Sequence, residues 1–436
     1  MASDFIDEES VTEDYNDFDI IIIGAGLAGL TCAYNILKRS AGLEVLIIEA
    51  NKEVGGRILK DYSDTFHVNS VQKHVTSLIK AFHIKTERGR NIDGKETILY
   101  TKYGPLQNLP GYNGAEVYNF LQTMEENALD PKFSNYTSHE KAAQLAETSV
   151  EQLLRRIIYL PYSRTLCRAF ICSTCAMRNL NNVSALWMLV MLNGASGILN
   201  RLKITIGDNN RYFVQGGMTK IVQELFKNIL KQDGKVKFVE RVNEIKFNDD
   251  RAYVRTEKSY LKCEFVVVAV PPPMQNRIVI KSSPQESLNP QGLYAAGENV
   301  FFKLTYKRPP WINDFAENIV TPWDTSANLN ISYDATHGNT GIFVLAGFLG
   351  EPNATQTHNK GLFDILNECF GTTEALRYVK YKEWNSVTSN LQTISSPMSV
   401  MKPTTVFDHS NYIDDLNGQS REESQQLLSR YALSSI

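Results

Sequence analysis

Two kinds of hydrophobic pattern alternate along the chain, and together they predict an α/β fold. Residues 18–23 form an apolar, β-branched run that only Asp19 interrupts, which is typical of a central parallel strand buried on both faces. Apolar residues then recur at helical spacing over 30–37, and residues 43–48 predict a second strand. These segments predict one βαβ unit, with the glycine-rich sequence GAGLAGL between its first strand and its helix.

The rest of the chain divides into a helical middle and a later return to strands. Helices are predicted at residues 75–82, 115–124, 149–158, 183–192, 219–230 and 362–370. Strands are predicted at residues 211–214, 236–242, 245–247, 252–256, 265–270, 300–306, 329–333 and 341–348. Because strands precede and follow the helical middle, we expect two domains that are interleaved along the chain.

The composition is that of an ordinary globular protein and narrows the choice of partners. The 436 residues carry 45 basic and 48 acidic side chains, so no electrostatic footprint for nucleic acid is expected. The apolar runs at 20–23 and 185–192 are far shorter than the roughly eighteen residues of a membrane-spanning helix. Residues 1–17 contain many acids and no Lys or Arg, which predicts a disordered acidic leader on a cytoplasmic protein.

The cysteines have neither the spacing of a disulfide framework nor that of a metal site. Three of them lie in one apolar helical stretch, residues 166–177, without a second pair of ligands. We therefore expect all six to be buried thiols: Cys32, Cys167, Cys172, Cys175, Cys263 and Cys369.

The glycines after the first strand form a dinucleotide-binding fingerprint. Gly24, Gly26 and Gly29 match GxGxxG, in which the glycines allow a tight turn, close approach of a pyrophosphate and close packing of helix on strand. The free N–H groups of the following helix point at the phosphates. Glu49, at the end of the second strand, can accept hydrogen bonds from ribose hydroxyls and completes the fingerprint.

A second glycine motif follows Glu49. Val54 to Arg57 reads VGGR, in which Gly55 and Gly56 allow backbone contact with the dinucleotide and Arg57 can contact its phosphates. With the strand, GxGxxGL and the acid, this motif resembles the flavin-containing amine oxidase family.

The resemblance extends over roughly residues 18–395. Residues 213–225 resemble the segment that re-enters the flavin domain of that family, and residues 240–247 and 263–273 resemble the strands that follow. Val242 stands where the family makes a backbone contact to the adenine, and Trp384 where it places a tryptophan beside the flavin. Residues 183–192 and 306–311 are similar to monoamine oxidases in particular.

The resemblance implies a fold and a division of the chain. The fold is α/β, with a Rossmann-like FAD-binding domain interleaved with an α+β substrate domain, as in monoamine oxidases and p-hydroxybenzoate hydroxylase. The FAD-binding domain is expected at 18–84, 205–278 and 385–436. The substrate domain is expected at 85–204 and 279–384.

The resemblance also implies an activity. A primary or secondary amine would be oxidised by hydride transfer from the carbon next to nitrogen to flavin N5. Hydrolysis of the imine by water and reoxidation of the flavin by oxygen would then give aldehyde, ammonia and hydrogen peroxide. The covalent-flavin cysteine of monoamine oxidases falls near Thr393, so FAD is expected to bind non-covalently. Two alternatives stay open: a catalytically inactive relative that acts only by binding, and an FAD-dependent polyamine or L-amino-acid oxidase.

Three departures from the family pattern leave the catalytic residues unassigned. Phe301 stands where the family has a lysine that reaches flavin N5 through a water, and Lys303 could replace that lysine only if the strand shifted register. Residues 61–71 lack the Gly-Gly pair of the family, and His67 in this segment is expected to be structural. Residues 391–436 contain one glycine, Gly418, and lack the motif that closes the flavin site.

Overall fold

A computed structural model gives the architecture of most of the chain. It describes residues 16–40, 42–58, 63–69, 72–89, 98–101, 104–106, 111–130, 140–175, 177, 179–206, 211–248, 251–281, 293–297, 300–311, 319–320, 329–338, 341–349, 357–370, 377–384 and 399–403.

Most of the strands belong to two large sheets. In chain order the strands are β1 (Asn16–Ile23), β2 (Val45–Ile48), β3 (His67–Val68), β4 (Thr86–Arg88), β5 (Ile98–Thr101), β6 (Gly104–Leu106), β7 (Tyr212–Val214), β8 (Lys235–Lys237), β9 (Val242–Asn248), β10 (Arg251–Thr256), β11 (Tyr260–Val268), β12 (Val279–Lys281), β13 (Tyr294–Ala296), β14 (Val300–Tyr306), β15 (Ile319–Val320), β16 (Leu329–Asp334), β17 (Phe343–Leu349), β18 (Lys380–Trp384) and β19 (Ser399–Met401). The first sheet has the order β12-β9-β10-β11-β1-β2-β8, and the second sheet has the order β18-β14-β17-β16-β15-β5-β6. A small sheet, β3-β7-β4, brings together residues from both sides of the helical middle.

The helices pack on these sheets or on one another. They are α1 (Leu27–Arg39), α2 (Lys73–Ala81), α3 (Gly111–Ala128), α4 (Ala142–Glu147), α5 (Val150–Ile157), α6 (Pro161–Cys175), α7 (Ala185–Gly194), α8 (Ile198–Ile206), α9 (Thr219–Lys231), α10 (Pro272–Gln275) and α11 (Thr357–Phe370). Helices α3 to α8 share one hydrophobic core, to which the cysteines of α6 belong.

Strand β1 is buried on both faces, as its unbroken apolar run predicts. Ile20 and Ile22 pack with α1 and α9, whereas Ile21 and Ile23 pack with residues of β9, β10 and β11. Parallel pairing joins β1 to β2 on one side and to β11 on the other. The loop that follows β1 therefore leaves the sheet at its centre, between two parallel neighbours.

Strand β14 in the second sheet has one face on a helix and one face toward the segment before β3. Phe302 and Leu304 pack in the core that includes α11. Phe301 belongs to a different cluster, with Phe213 and Tyr333. Because side chains alternate along a strand, Phe301 and Lys303 share the face that points away from α11.

Two of the expectations from sequence differ from the structure. The strand predicted at 236–242 is wrong, because the chain turns at Val239, whose φ is +55°, between β8 and β9. The turn is fixed by hydrogen bonds from the Val239 and Glu240 amides to the carbonyls of Asn51 and Glu49. Strand β1 begins at Asn16, inside the predicted leader, because Asn16 and Asp17 pair with Leu261 and Lys262 of β11.

The segment 391–436, in which the sequence lacks the family motif, lies mostly outside the described residues. Within 399–403, β19 pairs with β13, and the carbonyl of Met401 accepts a hydrogen bond from the Ser184 amide just before α7. This short strand thus packs on the shared core of the helices. Thr393 and Gly418 lie outside the described residues.

Candidate functional site

The first and third glycines of the fingerprint are fixed by the turn that ends β1. Gly24 has φ +104°, which favours glycine, and its amide donates to the carbonyl of Ile48 at 2.8 Å. A Cβ on Gly29 would lie 2.0 Å from the Gly24 carbonyl oxygen, so only glycine lets α1 approach the turn this closely. The glycines that the sequence assigns to turn and packing therefore have these roles.

Gly26 borders open space at the start of α1. A Cβ placed on Gly26 would have no heavy atom within 4 Å, in contrast to Gly29. No side chain caps α1, and the amides of Leu27, Ala28 and Gly29 donate to no described residue. The positive end of the helix and three available N–H donors thus face a space that the described residues leave open, which suits an anionic phosphate group.

The VGGR segment closes over the same turn. Gly55 bridges Gly26, and its amide donates to the carbonyl of Ala25 at 2.9 Å. Gly56 has φ +57°, and a Cβ there would lie 3.2 Å from the Cα of Gly26. Arg57 follows directly, and burial lowers the pKa of its guanidinium from the ordinary value. The two glycine motifs are in direct contact, as a shared binding site requires.

Glu49 is held against the first glycine turn. Its side chain is buried, and Oε2 accepts a hydrogen bond from the Ala25 amide at 2.7 Å. Oε1 accepts from the Asn51 amide at 2.8 Å and from Asn51 Nδ2 at 2.9 Å. The carboxylate therefore sits between the glycine turn and the end of β2, where the fingerprint predicts a ribose.

The two remaining predicted site residues lie on different sheets. Val242 is the first residue of β9 and is buried in the core beside β1 and β2. Glu240, two residues earlier, donates its amide to the Glu49 carbonyl, which places the start of β9 next to the ribose acid. Trp384 ends β18 in the second sheet, where its backbone pairs opposite Phe301.

Phe301 lies in an aromatic cluster at the junction between the second sheet and the segment before β3. Its ring is fully buried, stacks on Phe66 at a centroid distance of 5.8 Å and meets Phe348 edge-on at 5.4 Å. Phe213 and Tyr333 belong to the same cluster. This junction is walled by aromatic side chains and has no lysine at position 301.

Lys303 points to the same junction, and its strand is in regular register. Phe301 pairs with Phe348 and Trp384, and Lys303 pairs with Ala346 and Lys382, without a bulge. The Lys303 ammonium contacts both carboxylate oxygens of Asp64, at 2.7 and 2.6 Å. The register shift that would move Lys303 to the place of Phe301 is therefore absent, and Lys303 forms an ion pair instead.

The segment that contains Asp64 also contacts the start of α9. The carbonyl of Ser63 accepts from the Met218 amide at 3.0 Å, and a Cβ on Gly217 would lie 2.4 Å from Ser63 Oγ. Asp64 and Thr65 stand in the segment where the family pattern has glycines. The segment that contains Ser63 and Asp64 thus packs between α9 and the second sheet.

Two arginines lie beside the aromatic cluster. Arg211 is 1% exposed and donates from Nη1 to the carbonyl of Asp334 at 2.8 Å. Burial raises the pKa of the Tyr333 phenol, while the charges of Arg211 and Arg201 oppose that rise. His67 packs its ring against Phe213 and Tyr333, at centroid distances of 5.8 and 6.0 Å. Two guanidinium groups, those of Arg201 and Arg211, therefore lie near Tyr333 at the aromatic cluster.

Sequence reasoning missed several of these residues. Asn51, Asp64, Phe66, Arg201 and Arg211 belong to no motif, and each reaches the site through the fold. For Arg211 the only local signal is its place just before the strand-turn-helix of residues 213–225.

The cysteine side chains have the buried environment that the sequence predicts. All six cysteines are buried, and none of them forms a disulfide. Within the described ranges, no group of three or more His, Cys, Asp or Glu residues could hold a metal ion. None of the described helices combines the length and apolar composition that crossing a membrane requires.

The chain is similar to known flavoproteins over most of its length. The family described as "Flavin containing amine oxidoreductase" matches residues 27–380. Amine oxidase [flavin-containing] A of Canis lupus familiaris is 22% identical over 392 residues, which cover 84% of this chain and 73% of the relative. Amine oxidase [flavin-containing] B of Rattus norvegicus is 24% identical over 396 residues, which cover 85% of this chain and 74% of the relative.

Solved structures share the fold. A wild-type putrescine oxidase bound to putrescine has a TM-score of 0.76 at 19% identity, with 91% of each chain covered. A cyclohexylamine oxidase from Brevibacterium oxydans IH-35A has a TM-score of 0.77 at 18% identity, with 92% of this chain and 90% of that chain covered. The α/β fold predicted from the sequence is confirmed.

Proposed function

Because the chain belongs to the flavin-containing amine oxidoreductase family, and so uses FAD as its cofactor, we propose that it oxidises a small primary or secondary amine. With oxygen and water as the other reactants, the products would be an aldehyde, hydrogen peroxide and ammonia, or a primary amine in place of ammonia where the substrate is a secondary amine. The observation that carries this proposal is the open space at Gly26, beneath three available N–H groups of α1 and next to Glu49.

We assign the adenine dinucleotide half of FAD to residues of the first sheet and its loops. The amides at the start of α1, with Gly24, Gly26 and Gly29, would hold the pyrophosphate, and Gly56 and Arg57 would close over it. Glu49 would accept from the ribose hydroxyls, with Val242 near the adenine. The domain boundaries stay part of the proposal as the sequence gives them: 18–84, 205–278 and 385–436 for the FAD-binding domain, and 85–204 and 279–384 for the substrate domain.

The isoalloxazine half would lie toward the aromatic junction between the two sheets, where Trp384 ends β18. Bound FAD supplies two-electron oxidation of the carbon–nitrogen bond and reoxidation by oxygen. The contacting rings of Phe66, Phe301 and Phe348 make this junction apolar, which would favour the uncharged amine over its ammonium form. With Phe301 in the place of the family lysine, these three side chains can only shape an apolar cavity. The proton of the amine must therefore be accepted by another group.

A second substrate class is favoured by the charge beside the junction. Arg201 and Arg211 lie near enough to Tyr333 to influence its ionisation. Guanidinium groups attract a carboxylate and repel an ammonium group, so the positive charge of these two arginines would suit an L-amino acid better than a polyamine. The second candidate is therefore an L-amino-acid oxidase.

The test begins with the absorption spectrum of the purified protein and of a Gly26→Ala variant. We expect flavin bands at about one flavin per chain in the wild type, released on denaturation because FAD is non-covalent. The methyl group added by the substitution enters open space, so the fold is kept while flavin is lost. A wild-type protein that stays colourless with added FAD would contradict the proposal.

The substrate is then identified by peroxide production. A primary alkyl monoamine, putrescine and a panel of L-amino acids are compared with the flavin-loaded wild type, with flavin-free protein as the control. Peroxide from the monoamine supports the first candidate, and peroxide from amino acids alone supports the second. Bound flavin without peroxide from any of them favours the binding-only alternative. The proposed location, the cytoplasm, is tested by cell fractionation.

A further inference from the structure

The carboxylate of Glu49 is nearly saturated by the chain itself. An ionised carboxylate offers about four acceptor positions on its two oxygens. Among the described residues three donors already occupy it: the Ala25 amide on Oε2, and the amide and Nδ2 of Asn51 on Oε1. About one acceptor position is therefore left on the carboxylate, whereas the two hydroxyl donors of a ribose need two.

Two of these three donors cannot move away without disturbing the fold. The Ala25 amide belongs to the glycine turn, which the Gly55 amide ties to the VGGR segment. The Asn51 amide is fixed because the Asn51 carbonyl accepts from the Val239 amide at 3.1 Å, next to the strained turn between β8 and β9. The side-chain amide of Asn51 is different, since rotation about its own side-chain bonds releases Oε1.

We propose that the side-chain amide of Asn51 is a latch on the ribose site. In the FAD-free protein it occupies Glu49 Oε1, and it leaves that oxygen when the ribose hydroxyls bind. The inference rests on FAD binding and is independent of which amine is oxidised. It makes Asn51 a residue that sets how tightly this chain holds its cofactor.

The latch has a reciprocal thermodynamic signature. The hydrogen bond from Asn51 Nδ2 to the Glu49 carboxylate stabilises the FAD-free protein and is lost when FAD binds. The free energy that this bond contributes to stability is therefore subtracted from the free energy of FAD binding. Removal of a residue that only supports the fold would lower the stability and leave FAD affinity unchanged or weaker. Removing the latch must therefore strengthen FAD binding while it weakens the FAD-free fold.

The experiment compares Asn51→Ala with a matched control, Asn35→Ala. Asn35 is also part-buried and also donates from Nδ2, to the Thr31 carbonyl at 2.9 Å within α1, away from Glu49. FAD affinity is measured by flavin fluorescence quenching, AMP affinity by competition, and stability of the FAD-free protein by thermal unfolding. We expect Asn51→Ala to bind FAD and AMP about three- to tenfold more tightly and to unfold at a lower temperature.

The other arms separate the latch from simpler effects. FMN lacks the adenosine ribose, so its affinity should be the same in Asn51→Ala as in the wild type. Asn35→Ala should lower the unfolding temperature without a change in FAD affinity. Asn51→Ser, with a hydroxyl that reaches less far, should act in the same direction as Asn51→Ala. Unchanged or weaker FAD and AMP binding in both Asn51 variants would overturn the proposal, whatever the outcome of the amine assays.

Discussion

At the residue scale, the glycine fingerprint is the part of the site that sequence predicts best. Gly24, Gly29 and Gly56 are required by positive φ or by close backbone contact, and such requirements leave a local sequence signal. The residues that contact Phe301 leave no such signal in the local sequence. Phe66 meets Phe301 only because the segment before β3 crosses the second sheet, so its role depends on contacts distant in sequence.

The substitution Phe301→Lys tests whether the family lysine can simply be restored. The ring is fully buried between Phe66 and Phe348, so a lysine there loses the aromatic contacts and places an ammonium group in an apolar cluster. We expect the free energy of unfolding to fall by about 3–5 kcal/mol, measured by urea denaturation.

Phe265→Lys is the matched control, because Phe265 is 43% exposed. It should change stability by no more than about 0.5 kcal/mol. A Phe301→Lys protein as stable as the wild type would show that the junction has room for the lysine. Increased peroxide production from amines by that flavin-loaded variant would then identify Phe301 as the group that limits turnover.

At the element scale, the sequence predicts where most strands and helices lie but not how they are joined. The run 236–242 has a strand pattern, yet the structure breaks it at Val239 because Asn51 and Glu49 accept the amides that turn the chain. The ion pair between Lys303 and Asp64 is equally invisible, since one residue lies on β14 and the other before β3.

The Lys303–Asp64 pair should couple the second sheet to the segment that packs on α9. Its side chains are 13% and 42% exposed, so solvent screens it only in part. In a double-mutant cycle with Lys303→Met and Asp64→Asn, we expect a coupling of about 1 kcal/mol in the free energy of unfolding.

The Lys235–Glu44 pair serves as the comparison, because both of its side chains are more than half exposed. The equivalent cycle with Lys235→Met and Glu44→Gln should give less than about 0.5 kcal/mol, and that value should vanish in high salt. Equal coupling energies for the two pairs would mean that Lys303 and Asp64 do not hold the sheet and the segment together.

At the scale of the whole molecule, the hydrophobic pattern indicates interleaved sheets, but it does not give their strand order. Strand β11 pairs with β1 although nine of the described strands lie between them in the chain, and β8 rather than β3 continues the first sheet beyond β2. Both pairings depend on contacts across the molecule, for which one sequence carries no direct signal.

The buried thiols should make the free energy of unfolding of the whole protein depend on pH. Burial raises the pKa of Cys32 to about 11 and those of Cys167, Cys175, Cys263 and Cys369 to about 12, from 9.0. In the unfolded chain these thiols ionise near pH 9, whereas in the native protein they stay neutral. The contribution of the thiols to the free energy of unfolding is fully present below about pH 9. It is lost as the pH rises toward the pKa values that the thiols have in the folded protein.

We therefore expect the free energy of unfolding to fall above pH 9 by up to roughly 1.4 kcal/mol per pH unit for each thiol. Urea denaturation between pH 7 and pH 10.5 measures this slope. Cys263→Ala removes one of the thiols, so its slope should be shallower than that of the wild type. An identical slope in that variant would assign the pH dependence to other groups.

The pairing of β1 with β11 also determines when the first sheet can form during synthesis. Asn16 and Leu261 are partners in that ladder, about 245 residues apart. A ribosome that adds about 5–20 residues per second needs roughly 12–50 seconds to deliver the second partner. For that time β1 has β2 as a neighbour but presents its other edge and its isoleucines to the cell, so the nascent chain is a natural client for chaperones that bind extended apolar segments.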